Sequence, residues 1–276
     1  MDVEQMRTRV IPSSREPLPV VGCGTYMGFD RAPGNAEFAQ LPGVLKSLFD
    51  AGGSMVDSSP MYGKAEAALG QVMDETDGRE EAFVATKVWT TGREAGMRQM
   101  EQSLELLRVD AIDLMQVHNL VDWKVHLATL RQWQEEERVR YIGVSHYTSS
   151  AYAEVEQVLR SEALDFLQIN YSVEERESAQ RLLPLAAERG VAVLVNRPFG
   201  GGGLLRRLRA KPLPPWAAEI GCTSWPQVLL KFVLSHPAVT CVIPGSGSPD
   251  HMAQNAQAGC GVIPEPAFWQ DKLREL

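Results

Sequence analysis

Apolar, strand-like runs alternate with helix-patterned segments along nearly the whole chain, and this alternation constrains the fold more than any other feature. After an opening hairpin (Thr8 to Ile11, a turn near Ser13-Ser14-Arg15, then Leu18 to Gly22), strand ends fall near residues 24, 58, 88, 118, 146, 171, 198 and 246. Helical periodicity fills most of the gaps between them: Leu41 to Ala51, Ala65 to Met73, Met97 to Leu107, Val125 to Glu137, Ala151 to Leu159, Ala179 to Arg189 and Pro226 to Leu234. A last helix runs from Pro249 to Ala258. Gly52-Gly53 and Gly190 stand where helices need a left-handed residue to stop. Continuous apolar strands without period-two alternation indicate a parallel sheet covered by helices.

Eight such units within 276 residues predict one domain, residues 1–276, folded as an α/β protein: a (β/α)8 TIM barrel preceded by an N-terminal β-hairpin. An open dinucleotide-binding sheet would require G-x-G-x-x-G in its first strand–helix turn, and GCGTYMGFD supplies only G-x-G. The stretch from Gly200 to Pro215, rich in glycine, proline and arginine, reads as a loose insertion after the seventh strand.

Composition narrows the function classes. A net charge of -8 argues against nucleic acid as a partner. No apolar run is long enough for a membrane span, and the N-terminus lacks the basic start and apolar stretch of a signal peptide, so a cytoplasmic protein is expected. Cys23, Cys222, Cys241 and Cys260 show no metal-ligand spacing and read as reduced thiols, most of them in the core; no metal is expected.

A barrel of this kind carries its active site at the carboxyl ends of the strands. There the sequence places Asp57 at the end of strand two, Tyr62 in the following loop, Lys87 at the end of strand three and His118 at the end of strand four. Taken singly, each has a structural reading: Asp57 and Lys87 as a buried ion pair, Tyr62 as a rim aromatic, His118 as an ordinary strand-end residue. Together they suit proton transfer to a carbonyl oxygen. A neighbouring ammonium is expected to lower the phenol pKa of Tyr62, a carboxylate holds the lysine, and His118 orients the substrate oxygen. A hydride must then come from a cofactor, because no side chain can supply one.

The segments carrying these residues resemble the aldo-keto reductase family: VDSSPMYGKAEAALG, ATKVW and LMQVHN, with PGSGSPDHMAQN near the end. PLPVVGCGTY before them resembles the family's first barrel strand, which implies that the N-terminal β-hairpin caps the barrel bottom. The resemblance implies catalysis by Asp57, Tyr62, Lys87 and His118, and an NADPH cofactor (NADH the alternative) lying across the barrel mouth. It places Gly24, Thr25, Asp57, Ser145, His146, Gln168 and Asn196 around the cofactor, together with Arg197, Pro198, Phe199 and Gly200. Gly245, Ser246, Gly247, His251, Gln254 and Asn255 complete the set. The substrate, a small carbonyl compound, is expected against Tyr26, Trp89 and His118, with Trp123 and the tail as further candidates for the pocket.

Several positions depart from the family pattern. His146 replaces the usual asparagine, and Asn196 stands where many members stack an aromatic on the nicotinamide. Gly245 and His251 replace a common lysine and arginine at the 2′-phosphate, which weakens its recognition. Arg197, Arg206, Arg207 and Arg209 are candidate substitute cations. Two other readings compete: a catalytically weak, cofactor-binding regulatory barrel resembling channel beta subunits, and a lyase forming a Schiff base on Lys87. A monomer or weak homo-oligomer is expected.

Overall fold

The computed structural model describes residues 5–274; residues 1–4 and 275–276 of the expected domain lie outside the described residues. The hairpin pairs β1 (Thr8–Val10) with β2 (Pro17–Pro19), antiparallel. Then come β3 (Cys23–Gly24), β4 (Met55–Asp57), β5 (Phe83–Val88), β6 (Ile112–His118), β7 (Val139–Ser145), β8 (Phe166–Asn170), β9 (Ala192–Asn196) and β10 (Cys241–Val242). These eight are parallel and neighbour one another in chain order. Parallel bridges Val21–Val242 and Gly24–Gly245 join the last strand to the first, so the sheet closes into a barrel.

Helices α1 (Leu41–Asp50), α2 (Ala65–Glu75), α3 (Arg93–Leu107), α4 (Trp123–Glu135), α5 (Tyr152–Ser161) and α6 (Ser178–Glu188) follow the strands in turn. Gly52 (φ 85°) and Gly190 (φ 67°) provide the left-handed residues that end α1 and α6. The segment read as a loose insertion is partly ordered: α7 (Gly203–Leu208) sits within it, buried through Leu204 and Leu208. Helices α8 (Trp225–Ser235) and α9 (Pro249–Gln257) complete the ring, in which α9 packs against α1. Among the described residues no helix is long and apolar enough to cross a membrane.

Strand alternation sorts side chains into two cores. Outward residues such as Val56, Val84, Val117, Val144 and Val195 pack against the helices. Inward residues Met55, Phe83, Ala85, Leu114, Tyr141, Phe166, Leu194 and Cys241 fill the barrel, joined by Ile11 and Leu18 of the hairpin. The hairpin is therefore a plug. Tyr141, two residues into β7, fixes it: its hydroxyl donates to Glu16 Oε2 (2.6 Å) and can accept from the Ser14 hydroxyl (2.8 Å). With the bottom sealed by apolar side chains, the polar inward residues are left at the opposite end.

Candidate active site

The registers put Asp57, Lys87, Gln116, His118, Ser145, Gln168 and Asn196 near the carboxyl end of the barrel. Lys87 is fully buried and Asp57 almost so. Lys87 Nζ donates to Asp57 Oδ1 (2.8 Å), Asp57 Oδ2 (2.7 Å) and the Ser58 carbonyl (2.7 Å), which uses all three ammonium protons. Desolvation pushes the Asp57 carboxyl up and the Lys87 ammonium down, while their mutual attraction and hydrogen bonds oppose both shifts.

Tyr62 lies beside this pair, with Lys87 Nζ 5.3 Å from its ring centroid. The expected lowering of the phenol does not follow from this arrangement. Burial pushes the Tyr62 hydroxyl up, and the Asp57 charge pushes in the same direction. The carboxylate that Lys87 grips offsets part of its charge, and what remains does not outweigh burial while the phenol is at rest. Tyr62 thus keeps its proton throughout the ordinary pH range. The Tyr26 ring meets Tyr62 at 5.0 Å and His118 meets it edge-on at 5.9 Å.

His118 is buried, and its pKa is pushed down to about 2, first by desolvation and then by the Lys87 charge. It is a neutral imidazole at working pH. The ordinary histidine value near ~6.5 applies once the chain unfolds, so the unfolded state binds a proton that the folded state refuses. His118 therefore costs stability as pH falls below that value. In thermal melts, His118→Gln should gain on the wild type as pH drops from about 7.5 to 5. A constant gap between the two would sink this assignment.

Three polar residues at the site, Gln116, Ser59 and Asn119, are not among those the sequence singled out. Gln116 Nε2 donates to Gln168 Oε1 (2.7 Å), and Gln168 Nε2 donates to Asp57 Oδ2 (3.3 Å). The carboxylate accepts only, so it sets the direction of both amides. Ser59 Oγ lies 3.0 Å from His118 Nδ1. Asn119 opens a left-handed stretch (φ 54° at Asn119, 55° at Leu120, 48° at Asp122) and donates its N–H to the Ser145 carbonyl, fixing where β6 ends. Gln116 had a readable cue, since it shares the inward face with His118 two residues later. Ser59 and Asn119 had none. Behind β5, Glu66 is a second buried carboxylate, accepting from Thr86 Oγ1 at 2.6 Å.

The remaining candidates fall around the same mouth. Ser145 Oγ and Asn196 Oδ1 are buried without a hydrogen-bond partner among the described residues. His146 turns Nδ1 back onto its own loop, accepting from the N–H groups of Tyr147 (3.0 Å) and Thr148 (3.2 Å), which leaves Nε2 to donate. Gly24 bridges to Gly245, and Thr25 Oγ1 is occupied within the strand ends, 3.0 Å from the Asp57 carbonyl and 2.9 Å from Ser58 Oγ. Arg197 (φ 50°) lies over the Tyr147 ring, with Pro198 and Phe199 buried behind it and Gly200 half-buried. Ser246 Oγ accepts from the Ser248 N–H, Gly247 lies against Gly28, Asn255 is buried, and Gly245, His251 and Gln254 are exposed.

Tyr26, Met27, Met61, Trp89 and Tyr147 are exposed apolar side chains, and all five belong to loops that follow barrel strands. Trp123 is half-buried. The tail anchors through buried Trp269, edge-to-face with Trp216, Phe232 and Phe268. All four cysteines are buried and none is in a disulfide among the described residues, with Cys23 and Cys222 pushed up to about 12 and about 11 by desolvation. Among the described residues no cluster of His, Cys, Asp and Glu could hold a metal.

Comparison with known proteins follows the same lines. A sequence model described as the Aldo/keto reductase family matches residues 20–265. Methylglyoxal reductase YeaE of Escherichia coli is 29% identical over 247 residues, covering 87% of this chain and 84% of the relative. A 9,11-endoperoxide prostaglandin H2 reductase of Trypanosoma cruzi is 27% identical, covering 94% and 88%. An aldo/keto reductase of Klebsiella pneumoniae, solved in complex with NADP and acetate, superposes with a TM-score of 0.81 at 26% identity, covering 98% of this chain and 95% of that one.

Proposed function

The chain belongs to the aldo/keto reductase family, and from that premise we propose that it reduces aldehyde or ketone groups of small molecules with NADPH, Tyr62 donating the proton. The observation that carries this reading is the buried Asp57–Lys87 pair with the Tyr62 ring beside it and His118 edge-on to that ring. Bound NADPH would supply the hydride, the one part of the reaction no side chain can provide.

The chain's own residues account for the rest. As a carbonyl oxygen gains negative charge it becomes a stronger base than a phenolate, so even a phenol pushed up by burial can protonate it. The neutral imidazole of His118 can donate one hydrogen bond to that oxygen without itself losing a proton. Lys87, held by Asp57, stabilises the phenolate left behind once the phenol gives up its proton. Trp89 and Tyr26 offer an apolar wall to the rest of the substrate. The names of the relatives, a methylglyoxal reductase among them, favour small carbonyl compounds.

The residues present fit the cofactor. Ser145 Oγ and Asn196 Oδ1 are unpartnered polar atoms at the ends of β7 and β9, the two strands that flank β8, suited to a carboxamide that both donates and accepts. Ser145, His146, Gln168 and Asn196 would hold the nicotinamide end, Arg197 to Gly200 the centre, and Gly245, Ser246, Gly247, His251, Gln254 and Asn255 the adenosine end. NADPH is the favoured form because the Klebsiella relative was solved with NADP. Titration with NADPH and NADH, followed by the fluorescence of the six tryptophans, tests the preference.

Ser145→Ala separates binding from stability. It removes an unpartnered buried hydroxyl, so the melting temperature should hold or rise, while the Kd for NADPH weakens about 2- to 10-fold. A loss of stability with Kd unchanged would refute the assignment. The reading as a whole fails if no aldehyde or ketone in a broad panel is reduced with either nucleotide.

A further inference from the structure

We propose that Ser59 is a positioning residue that fixes His118 as the Nε2–H tautomer, and so makes it a hydrogen-bond donor to the substrate oxygen. Ser59 is 1% exposed, and its Oγ accepts from the Met61 N–H (3.4 Å) and lies 3.0 Å from His118 Nδ1. No other acceptor for its proton occurs among the described residues. If Nδ1 carried the imidazole proton, the Ser59 hydroxyl would receive two hydrogens and have nowhere to place its own. A buried donor without an acceptor is costly. With Nδ1 as acceptor, the serine gives one hydrogen and receives one, and every group is satisfied.

The other end of the ring completes the case. His118 Nε2 has no hydrogen-bond partner among the described residues, and the neighbouring ring is that of Tyr62. A single proton on a neutral imidazole, placed at Nε2, therefore serves the same locus as the phenol. The opposite tautomer would present a lone pair there and repel a carbonyl oxygen.

This inference rests on the carbonyl-reductase reading, and two measurements separate them. Histidine-ring nitrogen NMR on the full chain, with the His118 signal assigned by its loss in His118→Gln, reports the tautomer without turnover. The wild type should show Nδ1 as the unprotonated, hydrogen-bonded nitrogen. Ser59→Ala should move the signal toward a mixture of tautomers, and Ser59→Thr, which keeps the hydroxyl, should restore it. In steady-state assays Ser59→Ala should lower kcat about tenfold, less than the roughly hundredfold of losing a donor outright, because the productive tautomer stays partly populated. The Kd for NADPH should stay unchanged and Ser59→Thr should recover most of the rate.

A wild-type ring protonated at Nδ1 overturns the proposal, as does a Ser59→Ala spectrum matching the wild type or an unchanged kcat. If the wild type itself turns over no carbonyl compound, the carbonyl-reductase reading falls, and the tautomer is still decided by the spectrum.

Discussion

Tyr62→Phe should reduce kcat for carbonyl reduction by roughly 100- to 10,000-fold, the range of a lost general acid, while the Kd for NADPH changes less than about twofold. The substitution removes one oxygen and leaves the ring that packs against Tyr26 and His118. Folding should be almost unaffected, since no hydrogen bond to the Tyr62 hydroxyl occurs among the described residues. Binding, stability and catalysis are thereby read separately. A variant that retains more than about a tenth of wild-type kcat would move the acid role from Tyr62 to another group.

The pH dependence of the wild type bears on the same assignment. Because His118 is pushed down to about 2 and Tyr62 is pushed up, neither changes charge between pH 5 and 8. Sequence reasoning led to a different picture for Tyr62, and the difference is instructive. Lysine and tyrosine near one another on a barrel rim imply a lowered phenol. The sequence carries no measure of how deeply the ring is buried, nor that Asp57 engages Lys87 with both oxygens.

What could be read beforehand was whatever depended on strand periodicity. Asp57, Lys87 and His118 sit at strand ends because their strands are short apolar runs with visible limits, and β6 spans Ile112–His118 as the pattern implied. The hairpin itself could be read from two short runs and a turn, and its plugging role from the family resemblance, although β2 is only Pro17–Pro19 and β3 only Cys23–Gly24. Helix α7 was hidden because four glycines precede its last five residues and Pro212, Pro214 and Pro215 follow them, which masks a six-residue turn of helix. Ser59 and Asn119 were given no role of their own for another reason. Their roles depend on a loop's path in space, and a loop has no period to read.

Lys87→Met tests the electrostatic frame beneath these residues, and should destabilise the protein by about 3–5 kcal/mol at neutral pH, since it leaves Asp57 buried without its partner. For a chain of this size that corresponds to a drop in melting temperature on the order of 10 °C. The sign of the pH dependence follows from the carboxyl. Burial already pushes Asp57 up, and without Lys87 the push is larger, so the folded state binds its proton at a higher pH than the unfolded state does. Stability of the variant is then lost as pH rises through the folded value and regained as pH falls. The gap to wild type should narrow between about pH 7 and 5. Adding Asp57→Asn should restore much of the loss, because the amide oxygen still accepts from Gln168 and no unpaired charge remains. That double variant should stay inactive, having lost the cation that supports the tyrosine. If Lys87→Met melts with the wild type at neutral pH, or if the double variant is no more stable than the single one, the pair is not held as charges. The reading of Lys87 as the group that supports the Tyr62 phenolate would then fail with it.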